Sequence, residues 1–179
     1  MRISKKTEPK PNVKGLSVLS IDVLEIVVGE AQTMLASQYQ SHLASEQRGF
    51  TLTGLTLAAA SAAIASLLTN SKFENLSTFE SKVILWFTVG LFFAASLSIA
   101  SIWPQKISIP GNEPQNWLPE HWPDGRRTLK SAKLEQAKIL QSQIYGNRKI
   151  AKRKAILQRA SITSAFAVSL ISAIAWINR

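Results

Sequence analysis

The chain has 179 residues, which is the length of one ordinary domain, or of a membrane part joined to a small soluble part. It contains no cysteine, and this excludes disulfides, thiolate metal sites and a cysteine nucleophile. The net charge of +10 would suit nucleic acid, but the cations are concentrated beside uncharged stretches. We therefore attribute most of the charge to membrane topology and expect no nucleic-acid partner.

Residues 1–20 are expected to form a basic, disordered cytoplasmic tail. Five cations and two prolines lie within the first 14 residues. We expect no signal peptide, because neither an apolar core nor a small-residue cleavage site follows directly.

A helix is predicted from about residue 21 to residue 47. Asp22 followed by Glu25 is typical of a capping box, and the apolar residues that follow keep helical spacing. This stretch has no lysine or arginine, although a helix on an anionic membrane surface would carry them. We therefore expect it to pack on another protein helix and to run into the first span, unless it bends at Gly29 or Gly49.

Three uncharged stretches are long enough to cross ~30 Å of hydrocarbon as helices. They are residues 49–68, 83–103 and 160–177, and the third is near the lower limit of length. A chain of this size cannot bury three such helices on all sides of a soluble core. The predicted fold class is an all-α membrane protein, with three transmembrane helices and a cytoplasmic helical bundle extending from them. Residues 160–179 form its last segment.

Small residues recur at every fourth position in each span. Such a stripe lets another helix approach closely, so that dispersion replaces the hydrophobic effect that lipid cannot supply. We expect Gly54, Ala58 and Ala62 of the first span to make a close helix–helix contact, either with the second span of the same chain or between subunits. The stripes are Gly54, Ala58, Ala62 and Ser66 in the first span, Gly90, Ala94 and Ser98 in the second, and Ala165, Ser169 and Ala173 in the third.

The charges beside the spans predict the orientation. Basic residues are concentrated in residues 1–14 and 106–159, whereas acids and bases are equal in number in the connector 70–82. By the positive-inside rule, the N-terminus and residues 104–159 lie in the cytoplasm. The connector and the C-terminus then lie outside.

Residues 104–159 divide into a loop and a helix. Prolines interrupt the loop, and we expect Trp117 and Trp122 to hold it against the membrane surface or the cytoplasmic helices. The helix, from residue 128 to 159, is basic and is the natural partner of the acidic helix 21–47. Its predicted stripe is Leu129, Ala132, Gln136, Leu140, Ile144, Asn147 and Ala151.

No catalytic or metal-binding pattern is recognised in the sequence. His42 falls on the apolar side of a predicted helix, and His121 follows Glu120 in the loop; neither has the partners of a metal site. No phosphate-binding glycine loop, zinc-protease motif or nucleophile elbow is found. We predict no enzymatic activity, no cofactor and no metal.

Two groups of charged residues remain as candidate sites. Glu46 and Arg48 form a pair at the cytoplasmic end of the first span, which we call the membrane mouth. Side chains two residues apart on a helix point in different directions, so each needs a separate partner. The alternative is that both only anchor the helix at the interface. A basic collar precedes the third span and suits either anionic lipid or a phosphate-bearing ligand. The collar consists of Arg148, Lys149, Lys152, Arg153 and Lys154.

Two sequences that lead into the spans carry a resemblance. ASEQRGFTLTGL precedes the first span, and KLEQAKILQSQIYGNRKIAKRKAILQRA precedes the last. Together with the order of spans, they resemble the transmembrane effector module of bacterial cyclic-nucleotide antiphage systems, the Pycsar membrane effectors, and more loosely the SLATT-type membrane effectors. Residues 46–49 match the acid–x–Lys–small sequence that opens the first span of the Pycsar module, with Arg48 replacing the lysine. Residues 141–154 match its Gln-containing helix and Lys-rich turn.

The resemblance covers about residues 44–177 and includes no separate nucleotide-binding domain. It implies a bacterial inner-membrane effector of antiphage defence that oligomerises, impairs the membrane when triggered and stops growth of the infected cell. The expected partners are the lipid bilayer, further copies of the chain, and a cyclic nucleotide or a sensor protein. The alternative is a non-toxic membrane adaptor that recruits a cytoplasmic partner through residues 104–159.

Topology is tested with reporter fusions. Alkaline phosphatase fused after Arg179 should be active, because three spans place the C-terminus outside, whereas the same enzyme fused after Gly125 should be inactive. An inactive fusion at Arg179 that is stably produced in the membrane would contradict the three-span orientation.

Overall fold

The computed structural model describes residues 14–69, 79–111 and 128–178. Over these residues the chain forms a short 3-10 helix, Lys14–Val18, and three α-helices. The α-helices are α1 Ile21–Thr69, α2 Phe79–Ile102 and α3 Leu129–Ile177. Each is long and apolar enough to cross a membrane. The predicted all-α fold with three membrane-crossing helices is confirmed, and the chain is a multi-pass membrane protein.

Several predictions fall on residues that lie outside the described part of the chain. These are the tail up to residue 13, most of the outer connector, and the part of the loop that contains Trp117, His121 and Trp122.

Two of the helices are much longer than a membrane span. α1 and α3 each have 49 residues, and each runs without interruption from a polar segment into an apolar one. All seven prolines lie outside the three α-helices, so no ring breaks the hydrogen-bond ladder. α1 also stays helical through Gly29 and Gly49, the two positions where we expected a bend.

The start of α1 differs from the capping box predicted at Asp22. Ser20 is the N-cap, because its Oγ accepts a hydrogen bond of 3.4 Å from the backbone N–H of Val23. Asp22 lies in the first turn, where a negative charge suits the helix dipole. Glu25 does not reach back to the helix start but forms an ion pair with Lys133 of α3. The capping-box prediction was wrong because the short Ser20 hydroxyl already satisfies the free amide.

The chain divides into two compact units, and α1 and α3 contribute to both. The first unit comprises Met1–Gln40 and Lys106–Lys149, and the membrane unit comprises Ser41–Gln105 and Ile150–Arg179.

In the first unit, α1 packs on α3 through a small apolar core. Its buried residues are Val28, Leu35, Ala137, Leu140 and Ile144. Beside the core, the Lys133 Nζ lies 3.1 Å from the Glu25 carboxylate, so this part of the two helices combines apolar packing with opposite charges.

The predicted stripe of α3 is only partly correct. Ala132, Leu140, Ile144 and Asn147 are buried, whereas Leu129 is 63% exposed and Ala151 is also exposed. Leu129 is the first residue of α3, and α3 buries Ala137 in the core in addition to the residues of the stripe.

The side chain of Asn147, on α3, binds the backbone of the segment that follows α2. Its Nδ2 donates to the Ser108 carbonyl oxygen at 2.9 Å, and its Oδ1 accepts from the Ser108 N–H at 3.1 Å. The Asn147 side chain is 1% exposed, so both halves of a buried amide are satisfied by one backbone residue. This pairing fixes the backbone on the way to Gly111, the last described residue of the segment.

In the membrane unit, the small residues of α2 lie against α3. A Cβ at Gly90 would overlap the side chain of Val168, so the two helices approach closely there. Ala94 is fully buried, and its carbonyl oxygen accepts a 2.7 Å hydrogen bond from Ser161 Oγ. As position increases along α2 the partner position decreases along α3, so these helices are antiparallel.

The small-residue stripe of α1 makes no such contact. Gly54, Ala58 and Ala62 are exposed, and nothing lies within 4 Å of a Cβ placed at Gly54. The expected contact with the chain's own second span is therefore wrong, because α1 turns a neighbouring face inward. The contact between subunits stays a prediction. The buried residues on the inward face are Gly49, Thr56, Ala60 and Leu67.

Replacing Leu35 by aspartate tests the packing of the first unit. Leu35 is 0% exposed in an apolar core, so Leu35→Asp should lower stability by about 3 kcal/mol or more. Ser37→Asp places the same charge at an exposed position of α1 and should change stability by less than about 0.5 kcal/mol. Thermal unfolding in detergent is the measurement, and equal melting temperatures for the two variants would show that Leu35 is not in a core.

Candidate functional site at the membrane mouth

An ion pair joins α1 to α3 where the two helices enter the membrane unit. Lys154 Nζ donates a 2.6 Å hydrogen bond to Glu46 Oε1. The two side chains differ in exposure, since Lys154 is 1% exposed and Glu46 is 30% exposed. Lysine is rarely buried without a partner, and a buried ammonium left alone is strongly destabilising. The burial of Lys154 therefore depends on its ion pair with Glu46.

A second polar contact lies one turn further along α3. Gln158 Nε2 donates to the Ser45 carbonyl oxygen at 2.6 Å, and Ser45 Oγ lies 3.4 Å from Gln158 Oε1. The carbonyl of Ser45 already belongs to the hydrogen-bond ladder of α1, and it uses its second lone pair for Gln158. The amide thus joins the two helices without breaking either.

Gly49 brings α2 to the same place. A Cβ at Gly49 would overlap the Ile102 side chain and would lie 3.2 Å from Ser101 Oγ and 3.3 Å from Gln158 Nε2. Without that atom, Ser98 Oγ of α2 reaches the Gly49 carbonyl oxygen at 2.9 Å. Glycine is needed here for close approach of three helices, and not for an unusual backbone conformation.

These residues form one polar layer among the three helices, which we call the mouth cluster. It consists of Ser45, Glu46, Gly49, Ser98, Ser101, Lys154 and Gln158, all in the membrane unit. Polar contacts between helices in a membrane contribute about 0.6–2 kcal/mol each and fix which residues face each other. The layer can therefore set the register of the helices, and separating the helices would expose a lysine, a carboxylate and several hydroxyl and amide groups.

The predicted pair at the mouth is separated as its spacing indicated. Glu46 turns inward to Lys154, whereas Arg48 is exposed.

The basic collar is divided by the fold. Arg148, Lys149, Lys152 and Arg153 are exposed on α3, but Lys154 is buried against Glu46. The prediction that Lys154 contacts lipid or a ligand is wrong. Lys154 lies on the face of α3 that packs on α1, whereas its neighbour Arg153 lies on an exposed face. The other four residues stay candidates for lipid or phosphate.

The predicted packing residues lie in two kinds of place. Gly90 and Ala94 are in contact with α3, whereas Gly54, Ala58 and Ala62 are on the exposed face of α1. His42 is 3% exposed within α1, as expected for a packed histidine.

Three residues of this region were missed at the level of sequence. Gln158, Ser161 and Ser45 carry hydrogen bonds between helices, yet none was named as a candidate site residue. The spacing of Lys154, Gln158 and Ser161 along α3 is the signal that could have found Gln158 and Ser161, because steps of four and three place polar residues on one face of a helix.

Comparison with known families gives one finding. A family model described as the Pycsar effector protein domain matches residues 51–178, more than two thirds of the chain. The match includes α2, α3 and the apolar part of α1, and it begins just after Gly49. Comparison with curated proteins and with solved structures gives no match.

A pair of glycine variants tests the close approach at the mouth cluster. Gly49→Ala adds a methyl group that overlaps Ile102, and overpacking of this kind costs about 1–3 kcal/mol. Gly29→Ala, on the same helix but outside the membrane unit, meets nothing within 4 Å and should be neutral or stabilising by up to about 1 kcal/mol, since alanine is the better helix former. Melting temperatures in detergent compare the two. A Gly49→Ala protein at least as stable as Gly29→Ala would contradict the packing described here.

Proposed function

The chain belongs to the Pycsar effector family, and from that premise we propose that it oligomerises in the bacterial inner membrane and perturbs the membrane when triggered. The family places it among the effectors of cyclic-nucleotide antiphage defence, a non-enzymatic group. A nucleotide signal or a sensor protein is the proposed trigger, and the N-terminus is proposed to lie in the cytoplasm.

The exposed face of α1 is the observation that supports the proposed oligomer. The inward face of this span is already buried against its own chain, but the outward face presents Gly54, Ala58 and Ala62. Lipid fills such a shallow surface poorly, whereas a second helix can approach it backbone to backbone. A second copy of the chain, with the same stripe, is the partner that this proposal requires.

The mouth cluster supports perturbation of the membrane. In the described state the charges of Glu46 and Lys154 satisfy each other, and the surrounding hydroxyl groups bond to backbone carbonyls. If α1 moves away from α2 and α3, these groups lose their partners and attract water. A hydrated opening at the ends of the spans would follow, and several subunits opening together would weaken the barrier.

Isoleucine at position 58 tests both parts of the proposal. Ala58→Ile adds bulk where two backbones are proposed to touch. The overpacking should make the free energy of association less favourable by about 1–3 kcal/mol. The variant should therefore run as a smaller species in detergent and should fail to depolarise cells. Leu57→Ile is the control. Leu57 is 37% exposed, and its replacement by isoleucine changes the shape of the side chain without adding volume.

Mass measurement in detergent and a membrane-potential dye during controlled expression are the readouts. We expect the natural chain and Leu57→Ile to depolarise cells when they are overexpressed, because a high concentration in the membrane favours assembly without the trigger. If the natural chain accumulates in the membrane and leaves the potential intact, the chain is an adaptor and not a membrane-perturbing effector. If Ala58→Ile has the same mass and the same effect as the natural chain, the α1 stripe is not the subunit interface.

A further inference from the structure

Basic side chains lie on one exposed face of α3 where this helix enters the third span, and we call this surface the cationic face. Spacings of three, four and seven residues place them on the same side of the helix. The residues of the face are Arg148, Lys149, Lys152, Arg153 and Arg159, and all of them are exposed. Asn147, Lys154 and Ser161, which are buried, recur at every seventh position on the side that packs on the other helices.

The cationic face has no acidic residue of α3 near it. The chain contains no aspartate or glutamate after Glu135, so no acid lies within four positions of these cations along the helix. Two pairs of like charges are instead four residues apart on the face, a spacing at which like charges destabilise a helix. Glu46 of α1 lies at this level but pairs with the buried Lys154. The face therefore has an excess of positive charge that an anionic partner would offset.

The same side of α3 continues into the membrane as an apolar surface. Ile156, Phe166 and Leu170 follow the spacing of the cations, and these side chains are 58%, 70% and 50% exposed. From Arg159 to Leu170 the helix rises about 16 Å at ~1.5 Å per residue. One leaflet contributes ~15 Å, half of the thickness of the hydrocarbon core. The exposed apolar surface is therefore about as long as the acyl chains of one leaflet.

The two parts of this surface match the two parts of a phospholipid. Arginine presents a planar fork of donors that suits phosphate oxygens, and lysine adds point charges beside it. Cations at the end of a span are attracted to the anionic head groups of the adjoining leaflet. A soluble phosphate would use the cations alone, whereas a lipid would also cover the exposed apolar side chains that follow them. Charge and length together favour the lipid.

We propose that the cationic face binds an anionic phospholipid of the leaflet in which α3 enters the membrane. The lipid phosphate lies at the level of Arg153 and Arg159, and its acyl chains cover Phe166 and Leu170. Lys154 takes no part, because it is buried against Glu46. This inference goes beyond the proposed effector function, since it assigns a lipid that the chain selects whether or not it perturbs the membrane. It holds for either orientation of the chain.

Native mass spectrometry of the full-length chain in a neutral detergent measures the affinity for added lipid. The probes are dioleoyl phosphatidylglycerol, which is anionic, and dioleoyl phosphatidylcholine, which has the same acyl chains and no net charge. Inorganic phosphate is the control without acyl chains. We expect phosphatidylglycerol to bind about tenfold more tightly than phosphatidylcholine, because each cation near the head group favours the anionic lipid. Inorganic phosphate at the same concentration should not displace it.

A double variant of the face, Arg153→Gln with Arg159→Gln, should weaken the binding of phosphatidylglycerol about tenfold or more and leave that of phosphatidylcholine unchanged. The matched control is Lys130→Gln with Lys138→Gln, which removes the same charge from exposed positions earlier on α3. Lys138 lies about 22 Å before Arg153 along the helix, beyond the ~10 Å Debye length at 0.1 M salt, so the control should bind both lipids as the natural chain does. All four side chains are exposed, so neither double variant should lower the melting temperature of the lipid-free protein.

Equal affinity for the two lipids would overturn the inference, and so would displacement of phosphatidylglycerol by inorganic phosphate. Unchanged affinity in the variant of the face, or an equal loss in the control variant, would show that this face is not the site. These results are separate from those that test the effector function. A chain that depolarises cells without preferring phosphatidylglycerol overturns the lipid site alone, and a chain that prefers this lipid but never depolarises cells overturns membrane perturbation alone.

Discussion

Lys154 is the most constrained charge in the described part of the molecule. It is buried to 1% exposure at the end of a membrane-spanning segment, and Glu46 is bonded to it at 2.6 Å. Taking either charge out of water is costly, so each is tolerated only because the other is present. The pair thereby requires α1 and α3 to meet at one register. Gln158 and Gly49 then lie opposite their partners, and α2 can approach through Ser98.

The rest of the membrane unit follows from this layer. Because the mouth cluster positions α1, the inward face of this helix is buried against its own chain and its small-residue stripe is exposed. The same exposed stripe is what the proposed oligomer needs. In the first unit a different combination operates, because an apolar core carries the packing and the Lys133–Glu25 ion pair lies beside it. The two long helices, α1 and α3, belong to both units.

Sequence reasoning was sufficient where a property is local. The length of the uncharged stretches identifies three spans. The spacing of small residues at every fourth position identifies Gly90 and Ala94, which contact α3. It failed where the answer depends on residues distant in the chain. The partner of Glu46 is 108 residues away, and charge alone does not distinguish Lys154 from its exposed neighbour Arg153. For α1, two faces have the composition of a packing surface, and only the position of the other helices decides which is buried.

A double-mutant cycle at Glu46 and Lys154 measures the central interaction most directly. Glu46→Gln and Lys154→Met, unfolded thermally in detergent, should each destabilise the protein, with Lys154→Met leaving a partly exposed carboxylate and Glu46→Gln leaving a buried ammonium that costs about 3–5 kcal/mol. The double variant should be clearly more stable than the sum of the two losses predicts, because it removes both charges together. Losses that add within about 0.5 kcal/mol would show that the two charges do not interact, and the account of the mouth cluster would then be wrong.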